Sequence, residues 1–369
     1  MGIHEIIGAQ RIAVEEALLV QITRILESWF RAQNRDLPWR PVDLNQLRDP
    51  YAVWISETML QQTRVEAVIS HYERWMQQLP TLLDLANAKE ERVLHLWQGL
   101  GYYSRARNLH RAALALVQRN EHELPRTPQE LLALPGIGAY TAGAILSLAW
   151  HQHQPLLDGN LIRIFSRLRC INGLPVESKE MKALYWDIAN QFARTAHPHI
   201  INEALMEFGA VLCTPRSPLC NQCLLKSHCS AFHQGTVGQY PPAKPKVQPE
   251  QINGIVLVCR RDGKLLVHKA PKGLLSKQWR LPWMMGDDRA KLQSKVSCGS
   301  FRHAITRYRL TLEVVRIDLE SPQQEVPFAT DDTLGEWRWI AAKDARMVLV
   351  NSLSIKALTL SAHCDQKLN

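Results

Sequence analysis

The chain has 369 residues, of which 46% are hydrophobic and 21% are charged. This balance excludes a disordered or fibrous protein, and the length predicts two or three globular domains. Lys and Arg outnumber Asp and Glu by 44 to 35, a net charge of +9, which favours a polyanionic partner such as nucleic acid but also fits a merely basic protein. No apolar stretch is long enough to span a bilayer, and Met1–Glu16 lacks the pattern of a signal peptide. We therefore expect an intracellular protein, in the cytoplasm or nucleoid if the source is a bacterium.

The first part of the chain, residues 18–234, has the pattern of a helical domain. Apolar residues recur at spacings of three and four, as at Leu109, Ala112, Ala113, Leu116 and Val117. Prolines and glycines separate the apolar segments. We predict an all-α body of short helices, preceded by an N-terminal extension at residues 1–17.

Two carboxylates in this region have surroundings suited to the cleavage of a glycosidic bond. Glu57 lies among apolar helical neighbours, where burial would raise its pKa and let it act as a general acid. Asp158 precedes an apolar helix at the N-cap position, where the helix dipole would keep it ionised. One protonated and one ionised carboxyl group can cleave such a bond through an oxocarbenium-like transition state. The alternatives are a surface Glu57 and an Asp158 that only caps its helix.

A glycine-rich turn between two helical segments, at residues 134–143, predicts a helix-hairpin-helix. Gly136 and Gly138 allow backbone N–H groups at a helix N-terminus to approach a ligand closely, and such groups bind a phosphate without reading sequence. An ordinary helix–helix turn is the alternative.

Four cysteines lie close together at the end of the helical region. Cys213, Cys220, Cys223 and Cys229 have the spacing C-x6-C-x2-C-x5-C, whereas the other cysteines are scattered. In a reducing compartment this spacing predicts a metal site rather than disulfides. Four thiolates suit either zinc or an iron–sulfur cluster, and general chemistry does not separate the two. Four unrelated thiols are the remaining alternative.

A change of composition marks a second domain. Residues 235–250 are rich in Pro, Lys and small residues, which is typical of a semi-rigid linker. Beyond it, residues 252–259 and 264–268 have the pattern of strands joined by a turn at Arg261–Gly263. We therefore predict a β-hairpin that opens an α+β domain at residues 251–369.

These features together resemble the helix-hairpin-helix glycosylase superfamily, and in detail the adenine glycosylases of the MutY type. The motifs that carry the resemblance are Leu37–Arg40, Ser56–Glu57, Met59–Arg64, Gly99–Arg107 and Asn202–Met206. Relatives such as endonuclease III hold a [4Fe–4S] cluster with the same cysteine spacing, so the resemblance implies this cofactor rather than zinc. Endonuclease III-like enzymes carry a nucleophilic lysine where this chain has Tyr140, so the resemblance implies monofunctional hydrolysis.

The resemblance also implies the roles of the catalytic residues. Glu57 would protonate N7 of a flipped adenine and then activate a water molecule. Asp158 would stabilise the sugar cation, with or without a transient bond to the sugar. Tyr140 and Asn160 would support these two carboxyl groups.

The same resemblance implies which residues bind DNA. The adenine would be held by Trp39, Arg40 and Glu203. Contacts to the opened duplex would come from Gln62, Tyr102, Gly136 and Gly138. The expected partner is double-stranded DNA that contains an 8-oxoguanine:adenine or guanine:adenine mispair, bound by a monomer.

The second domain resembles the Nudix-like C-terminal domain of the same family, through Gly273–Pro282. Residues 283–369 lack the glutamate-rich helix with which hydrolytic Nudix domains bind magnesium, so we expect a binding module. In the family a Phe-Ser-His turn recognises 8-oxoguanine, and its assigned counterpart here is Phe301, Arg302 and His303. Arg302 in place of serine is one departure, and the extra length of residues 41–49 is another.

Two other functions remain open from the sequence. A bifunctional glycosylase and lyase for oxidised pyrimidines would need a lysine nucleophile, and Tyr140 disfavours it. A non-catalytic DNA-binding protein that kept the fold would not need both Glu57 and Asp158.

Overall fold

The computed structural model describes residues 16–172, 176–195, 197–242, 248–285, 295–319 and 335–368. Contacts within the chain define two compact units. The helical unit consists of residues 1–88 and 107–245, and the sheet unit consists of residues 89–106 and 246–369. Most of the predicted N-terminal extension and residues 243–247 of the predicted linker lie outside the described residues. No helix in the described part of the chain is long and apolar enough to cross a membrane.

Short helices make up the first two thirds of the chain, as predicted. In chain order they are α1 (Glu16–Gln33), α2 (Pro50–Leu60), α3 (Val65–Gln78), α4 (Leu82–Asn87), α5 (Glu90–Leu96), α6 (Ser104–Val117), α7 (Pro128–Leu132), α8 (Ala139–Trp150), α9 (Gly159–Arg169), α10 (Lys179–Ala193), α11 (Pro198–Val211) and α12 (Ser230–His233). Polar caps begin several of them: the side chains of Thr127 and Ser178 accept backbone hydrogen bonds at the starts of α7 and α10. The breaks between helices therefore follow from local sequence.

Aromatic side chains fill the core of the helical unit. Those that are no more than 2% exposed are Phe30, Trp54, Trp75, Phe165, Tyr185, Phe192 and Phe208. Each stabilises the unit by about 2 to 3 kcal/mol through the apolar surface it removes from water. Through this core α2 packs on α8, α8 on α11, and α11 on α9. These contacts fix the relative positions of the four helices that carry most of the candidate site.

In the described part of the chain beyond the linker, the sheet unit contains a six-stranded sheet and two α-helices. Its elements are β1 (Glu250–Arg261), β2 (Lys264–Lys269), β3 (Trp283–Met285), β4 (Lys295–Ile305), β5 (Tyr308–Asp318), β6 (Glu336–Ala341), α13 (Ala345–Val348) and α14 (Ser352–Leu368). The strand order is β4-β5-β1-β2-β6, with β3 paired to β1 outside this path. Only β1 and β5 run parallel among the described pairs. The predicted α+β class is confirmed.

The predicted hairpin at the start of this unit is also confirmed. Strands β1 and β2 are antiparallel, and Arg261 pairs with Lys264. The two residues between them, Asp262 and Gly263, have φ values of 49° and 68°. Positive φ at both positions is the geometry of the type I′ turns that Asp-Gly favours.

Residues Lys89–Ala106 belong to the sheet unit by their contacts, although the sequence predicts one continuous helical domain over residues 18–234. The buried hydroxyl of Tyr103 donates a hydrogen bond to the carbonyl of Val350. Helix α5 contacts α13. These contacts join residues far apart in the chain, so local periodicity carries no sign of them.

Candidate active site

Glu57 lies inside the helical unit because its helix is buried on nearly all sides. Asp49 caps α2 by accepting a hydrogen bond from the Tyr51 backbone, and Pro50 occupies the first turn. Glu57 is 5% exposed. Burial raises the pKa of Glu57 to about 7, against the effect of a hydrogen bond from Tyr140 that lowers it. The predicted burial and raised pKa of Glu57 are confirmed.

Tyr140 contacts Glu57 directly. It lies in the first turn of α8, and its hydroxyl donates a 2.6 Å hydrogen bond to Oε2 of Glu57. The same hydroxyl lies 3.3 Å from Sδ of Met206. Burial and the neighbouring carboxyl groups raise the pKa of Tyr140 well above its ordinary value, so the phenol stays a hydrogen-bond donor. The donated bond stabilises the ionised form of Glu57.

Asp158 caps helix α9, as predicted. Its Oδ1 accepts 2.8 Å hydrogen bonds from the backbone N–H groups of Asn160 and Leu161, and its Oδ2 accepts one of 2.9 Å from the Asn160 amide. Burial raises the pKa of Asp158, while these hydrogen bonds and the nearby Arg163 act to lower it. The sequence analysis expected the helix dipole to keep Asp158 ionised. The structure corrects this in part, because burial has the larger effect and the pKa is raised rather than lowered.

Arg163 holds Asn160 in place, and the sequence analysis missed it. Nη2 of Arg163 donates 2.7 Å to Oδ1 of Asn160 and 2.8 Å to the carbonyl of Gly209, while Nε donates 2.7 Å to the carbonyl of Cys213. An arginine is rarely buried unless it is paired, and Arg163 is 7% exposed. An arginine on the apolar face of a helix that begins with a candidate catalytic residue is the signal that could have identified it.

One large cavity gathers most of the predicted site residues. Its volume is about 720 Å³, and it opens to solvent. The predicted residues that line it are Trp39, Arg40, Glu57, Gln62, Gly136, Gly138, Tyr140, Asp158, Asn160 and Glu203. The Trp39 ring meets Tyr72 edge-on, with centroids 5.4 Å apart, which fixes the plane of the indole at the wall of the cavity. Local sequence signals far apart in the chain therefore converge on one site.

A buried ionic network forms one wall of this cavity. Glu203 and Glu207 lie one turn apart on α11. Arg40 contacts both, with distances of 3.3 Å to each carboxylate. Arg48 donates to both oxygens of Glu203, and Arg35 donates to both oxygens of Glu207 at 2.6 and 3.0 Å. Sequence analysis missed Arg35, Arg48 and Glu207, although two glutamates four residues apart on an apolar helix indicate buried cations nearby.

Arg48 gives a structural account of residues 41–49. The extra length of this stretch was unexplained by the sequence. Its end carries Arg48 into the interior, where the side chain is 6% exposed and pairs with Glu203. Burial acts to raise the pKa of Glu203, but Arg48 and Arg40 outweigh it and hold that pKa below its ordinary value. Glu203 is therefore an ionised carboxylate at the cavity wall.

The backbone is strained or tightly packed at two of the predicted DNA-contact positions in this unit. Gln62 has a φ of 56° just after α2, a left-handed conformation that costs a non-glycine residue about 1 to 2 kcal/mol. Gly136 has a φ of 82°, and a Cβ atom there would lie 2.5 Å from Cβ of Asn108. Gly138 caps α8 without a side chain, and a Cβ atom there would meet open space. The N-terminus of α8 is thus open to a ligand.

The four clustered cysteines line a second, small cavity in the helical unit. A cavity of about 30 Å³ lies between apolar side chains and the four cysteines, Cys213, Cys220, Cys223 and Cys229. Burial raises the pKa of Cys223 to about 11. Nη1 of Arg167 lies 3.4 Å from Sγ of Cys213. Within the described residues, no three His, Cys, Asp or Glu side chains converge closely enough to hold a single metal ion.

The remaining candidates belong to the sheet unit. Tyr102 is 51% exposed and has a φ of 47°. Phe301, Arg302 and His303 do not form a turn, which corrects the sequence prediction: all three lie within strand β4. Because side chains alternate along a strand, the half-buried Phe301 and His303 share one face, with ring centroids 6.4 Å apart, and the exposed Arg302 is on the other.

The turn itself comes a few residues later. Strands β4 and β5 pair from Ile305 and Tyr308 outward, and Thr306 at the tip has a φ of 51°. The tip exposes Thr306 and Arg307, and Nη1 of Arg309 donates 3.1 Å to the carbonyl of Thr306. The tip therefore presents a hydroxyl group and two guanidinium groups.

Comparison with known proteins agrees with this geometry. Residues 55–189, which include Glu57, Tyr140 and Asp158, match the model of the HhH-GPD superfamily base excision DNA repair protein. The adenine DNA glycosylase of Rattus norvegicus is 34% identical, over 89% of this chain and 75% of that protein. That of Homo sapiens is 35% identical, over 82% of this chain and 68% of that protein.

A solved structure agrees in fold with more than half of the chain. The structure of a thermostable thymine-DNA glycosylase superposes with a TM-score of 0.51 at 25% identity, over 58% of this chain and 97% of that one. The fold, the family model and the two relatives, which match over most of the chain, show that this is a DNA repair enzyme that binds DNA and hydrolyses N-glycosidic bonds. The chain belongs to the adenine DNA glycosylase family.

Proposed function

We propose that this enzyme excises adenine paired with 8-oxoguanine or guanine, and that it does so as a monofunctional glycosylase. The observation that carries the proposal is the convergence of Glu57, Tyr140 and Asp158 on one cavity. One carboxyl group is poised to exchange a proton near neutral pH, and the other is held by helix N–H groups. Two carboxyl groups in different environments divide the acid and stabilising roles of glycosidic cleavage.

In this mechanism Glu57 donates its proton to N7 of the flipped adenine. The bond between C1′ and N9 then breaks, and its electron pair leaves with the base. Asp158 faces the sugar cation that forms, and its backbone hydrogen bonds keep its oxygens fixed without reorganisation. The ionised Glu57, stabilised by the Tyr140 hydroxyl, accepts a proton from the water that attacks C1′. This proton restores the starting state.

A lyase step is not part of the proposal. A lysine nucleophile would form an imine with the sugar and open the way to strand cleavage. Tyr140 occupies the position of that lysine, and its hydroxyl is engaged with Glu57. No lysine is among the described residues that line the cavity. Hydrolysis by water therefore completes the reaction.

The adenine is held by the wall of the cavity in this proposal. Trp39, steadied by Tyr72, offers a face for stacking. The carboxylate of Glu203 accepts a hydrogen bond from the amino group of the base, and Arg40 holds that carboxylate in place.

The duplex is opened and held at several points. Gln62 and Tyr102 each lie at a left-handed backbone position that projects the side chain from a tight turn. Unstacking a base pair costs a few kcal/mol, and an inserted side chain offsets part of that cost. The free N–H groups at Gly138 suit a DNA phosphate. The exposed Arg216 and Lys226 of the cysteine loop add positive charge.

The base opposite adenine is read, in this proposal, by the β4–β5 tip as well as by the predicted triplet. The expected element is a turn with an apolar residue followed by a hydroxyl group, and Ile305, Thr306 and Arg307 have that order at a turn. Phe301 and His303 pack at the base of the same hairpin. Arg302 on the opposite face adds only charge.

We also propose that Cys213, Cys220, Cys223 and Cys229 hold a [4Fe–4S] cluster. All four line one largely apolar cavity, and four thiolates are the ligand set of such a cluster. The resemblance of the cysteine spacing to that of endonuclease III-like enzymes favours the cluster over zinc. When bound, the cluster cross-links the loop and needs no part in the chemistry. Iron and acid-labile sulfide in the purified enzyme support this proposal, and stoichiometric zinc contradicts it.

The decisive test is single-turnover release of adenine from a duplex with one 8-oxoguanine:adenine pair. Wild type should release adenine, Glu57→Gln should release almost none, and Glu73→Gln, at an exposed site on α3, should match wild type. Equal release by wild type and Glu57→Gln would overturn the catalytic assignment. Borohydride trapping tests the second part: an adduct that disappears when a lysine is changed contradicts a monofunctional enzyme.

A further inference from the structure

We propose that Arg48 is a positioning residue that makes the enzyme selective for adenine, because it fixes Glu203 as an acceptor-only group at the wall of the base cavity. The inference rests on the proposed role of Glu203 in holding the base. Arg48 is not among the residues that line the cavity. It therefore acts on the base only through Glu203.

Arg48 and Glu203 form a bidentate ion pair. Nη1 of Arg48 donates 3.1 Å to Oε1 of Glu203, and Nη2 donates to Oε2. The planar guanidinium group matches the two carboxylate oxygens, which fixes orientation as well as charge. The side chains of Arg48 and Glu203 are 6% and 4% exposed. Water therefore competes little with the bidentate contact.

The hydrogen bonds of Glu203 leave room for one more partner. A carboxylate offers about four acceptor positions. Arg48 fills two of them and Nε of Arg40, at 3.3 Å from Oε1, fills a third. The remaining position is on Oε2. As long as Glu203 is ionised, this position can only accept a hydrogen bond.

This single position distinguishes the purines by the group at their sixth carbon. Adenine carries an amino group there, which donates. Hypoxanthine and guanine carry a carbonyl oxygen, which would face the carboxylate as a second acceptor. Two facing acceptors repel each other and leave both groups unpaired, and such a mismatch discriminates more strongly than a difference in size.

The segment that carries Arg48 is anchored to the helical unit on both sides. Leu44 is buried, and the Asn45 side chain accepts a 3.2 Å hydrogen bond from Arg31. Beyond Arg48, Asp49 caps α2, the helix of Glu57. The backbone is therefore anchored on both sides of Arg48, which restricts where its guanidinium group can lie relative to Glu203.

Several other charged or titratable groups surround Glu203, and they bear on its pH dependence. They are Arg40 and Glu207 in the same network, Glu57 and Tyr140 at the same cavity, and His199 on the same helix. Burial lowers the pKa of His199 to about 4, so this imidazole is neutral near neutral pH. The two arginines then provide the positive charge that keeps Glu203 ionised.

The test compares release of adenine and of hypoxanthine, each opposite 8-oxoguanine in the same duplex, in single-turnover reactions. Arg48→Met keeps the aliphatic stem and removes the charge. The ratio of the adenine rate to the hypoxanthine rate should fall at least about tenfold in this variant. Adenine release by Arg48→Met, relative to wild type, should fall further as the pH is lowered and Glu203 gains a proton. Arg48→Lys, which keeps the charge, should retain most of the ratio.

Arg24→Met is the matched control, since Arg24 is exposed on α1 and is not part of the network, and it should leave the ratio unchanged. Equal loss of both activities in Arg48→Met, or an unchanged ratio, would overturn the inference. If Arg48→Met unfolds the helical unit, the same comparison with Arg48→Gln decides. A wild-type enzyme that releases no adenine would instead overturn the proposed function, so the two failures are distinguishable.

Discussion

Replacement of Glu57 by glutamine should stabilise the enzyme while abolishing its activity, and the gain should depend on pH. The pKa of Glu57 is raised from 4.5 to about 7. A carboxyl group with a raised pKa in the folded state contributes stability that is fully present below the unfolded pKa and is lost as the pH rises through the folded one. Wild type therefore loses stability between about pH 4.5 and 7, and Glu57→Gln does not.

The size of the effect follows from the same shift. A difference of about 2.5 pH units, at about 1.4 kcal/mol for each unit, gives a gain of about 3 to 4 kcal/mol above pH 7 and almost none below pH 4.5. The measurement is the free energy of unfolding in urea at a series of pH values, for wild type, Glu57→Gln and the exposed-site control Glu73→Gln. A difference between wild type and Glu57→Gln that is the same at every pH would refute the reasoning.

Four further substitutions test other parts of the enzyme. Tyr140→Phe removes a hydrogen bond that lowers the pKa of Glu57. Because such a bond contributes about 1.5 to 3 kcal/mol, the pH at which the rate falls on the alkaline side should rise by about one to two units. An unchanged pH–rate profile contradicts this. In Gly209→Ala the new Cβ would stand 2.5 Å from Cβ of Asn160, so single-turnover adenine release should fall about tenfold or more, whereas a rate equal to wild type would show that the helix gives way. Thr306→Ala should reduce the preference for 8-oxoguanine over guanine opposite adenine, and Arg302→Ala should weaken binding to both duplexes alike; the reverse pattern would restore the role first given to Arg302.

Local sequence was sufficient wherever the cause of a structure is local. The N-cap of Asp158, the burial of Glu57 on an apolar helix and the Asp-Gly hairpin turn all follow from residues within a few positions. The glycines of the helix-hairpin-helix are also predictable from the local sequence, because the φ of Gly136 is excluded for most residues other than glycine.

The parts that sequence did not predict are contacts between distant segments. The pairing of Arg48 with Glu203 and the bonds from Arg163 to Gly209 and Cys213 have no local periodicity. The position of the turn after Phe301 was mispredicted for a different reason. A three-residue pattern placed it at Phe301, whereas the strand continues to Ile305, and only backbone pairing shows where a strand ends.

Helix α9 joins the two chemically distinct parts of the helical unit. Its first turn is capped by Asp158, which touches Asn160, and Asn160 is held by Arg163. One turn further on, Arg167 lies beside Sγ of Cys213 and donates 2.7 Å to the carbonyl of Thr214. Both arginines are buried, so a shift of the cysteine loop leaves them with unpaired charge unless the helix moves with it. The cysteine loop therefore helps to set the position of the Asp158 carboxylate, which faces the sugar in the proposed mechanism.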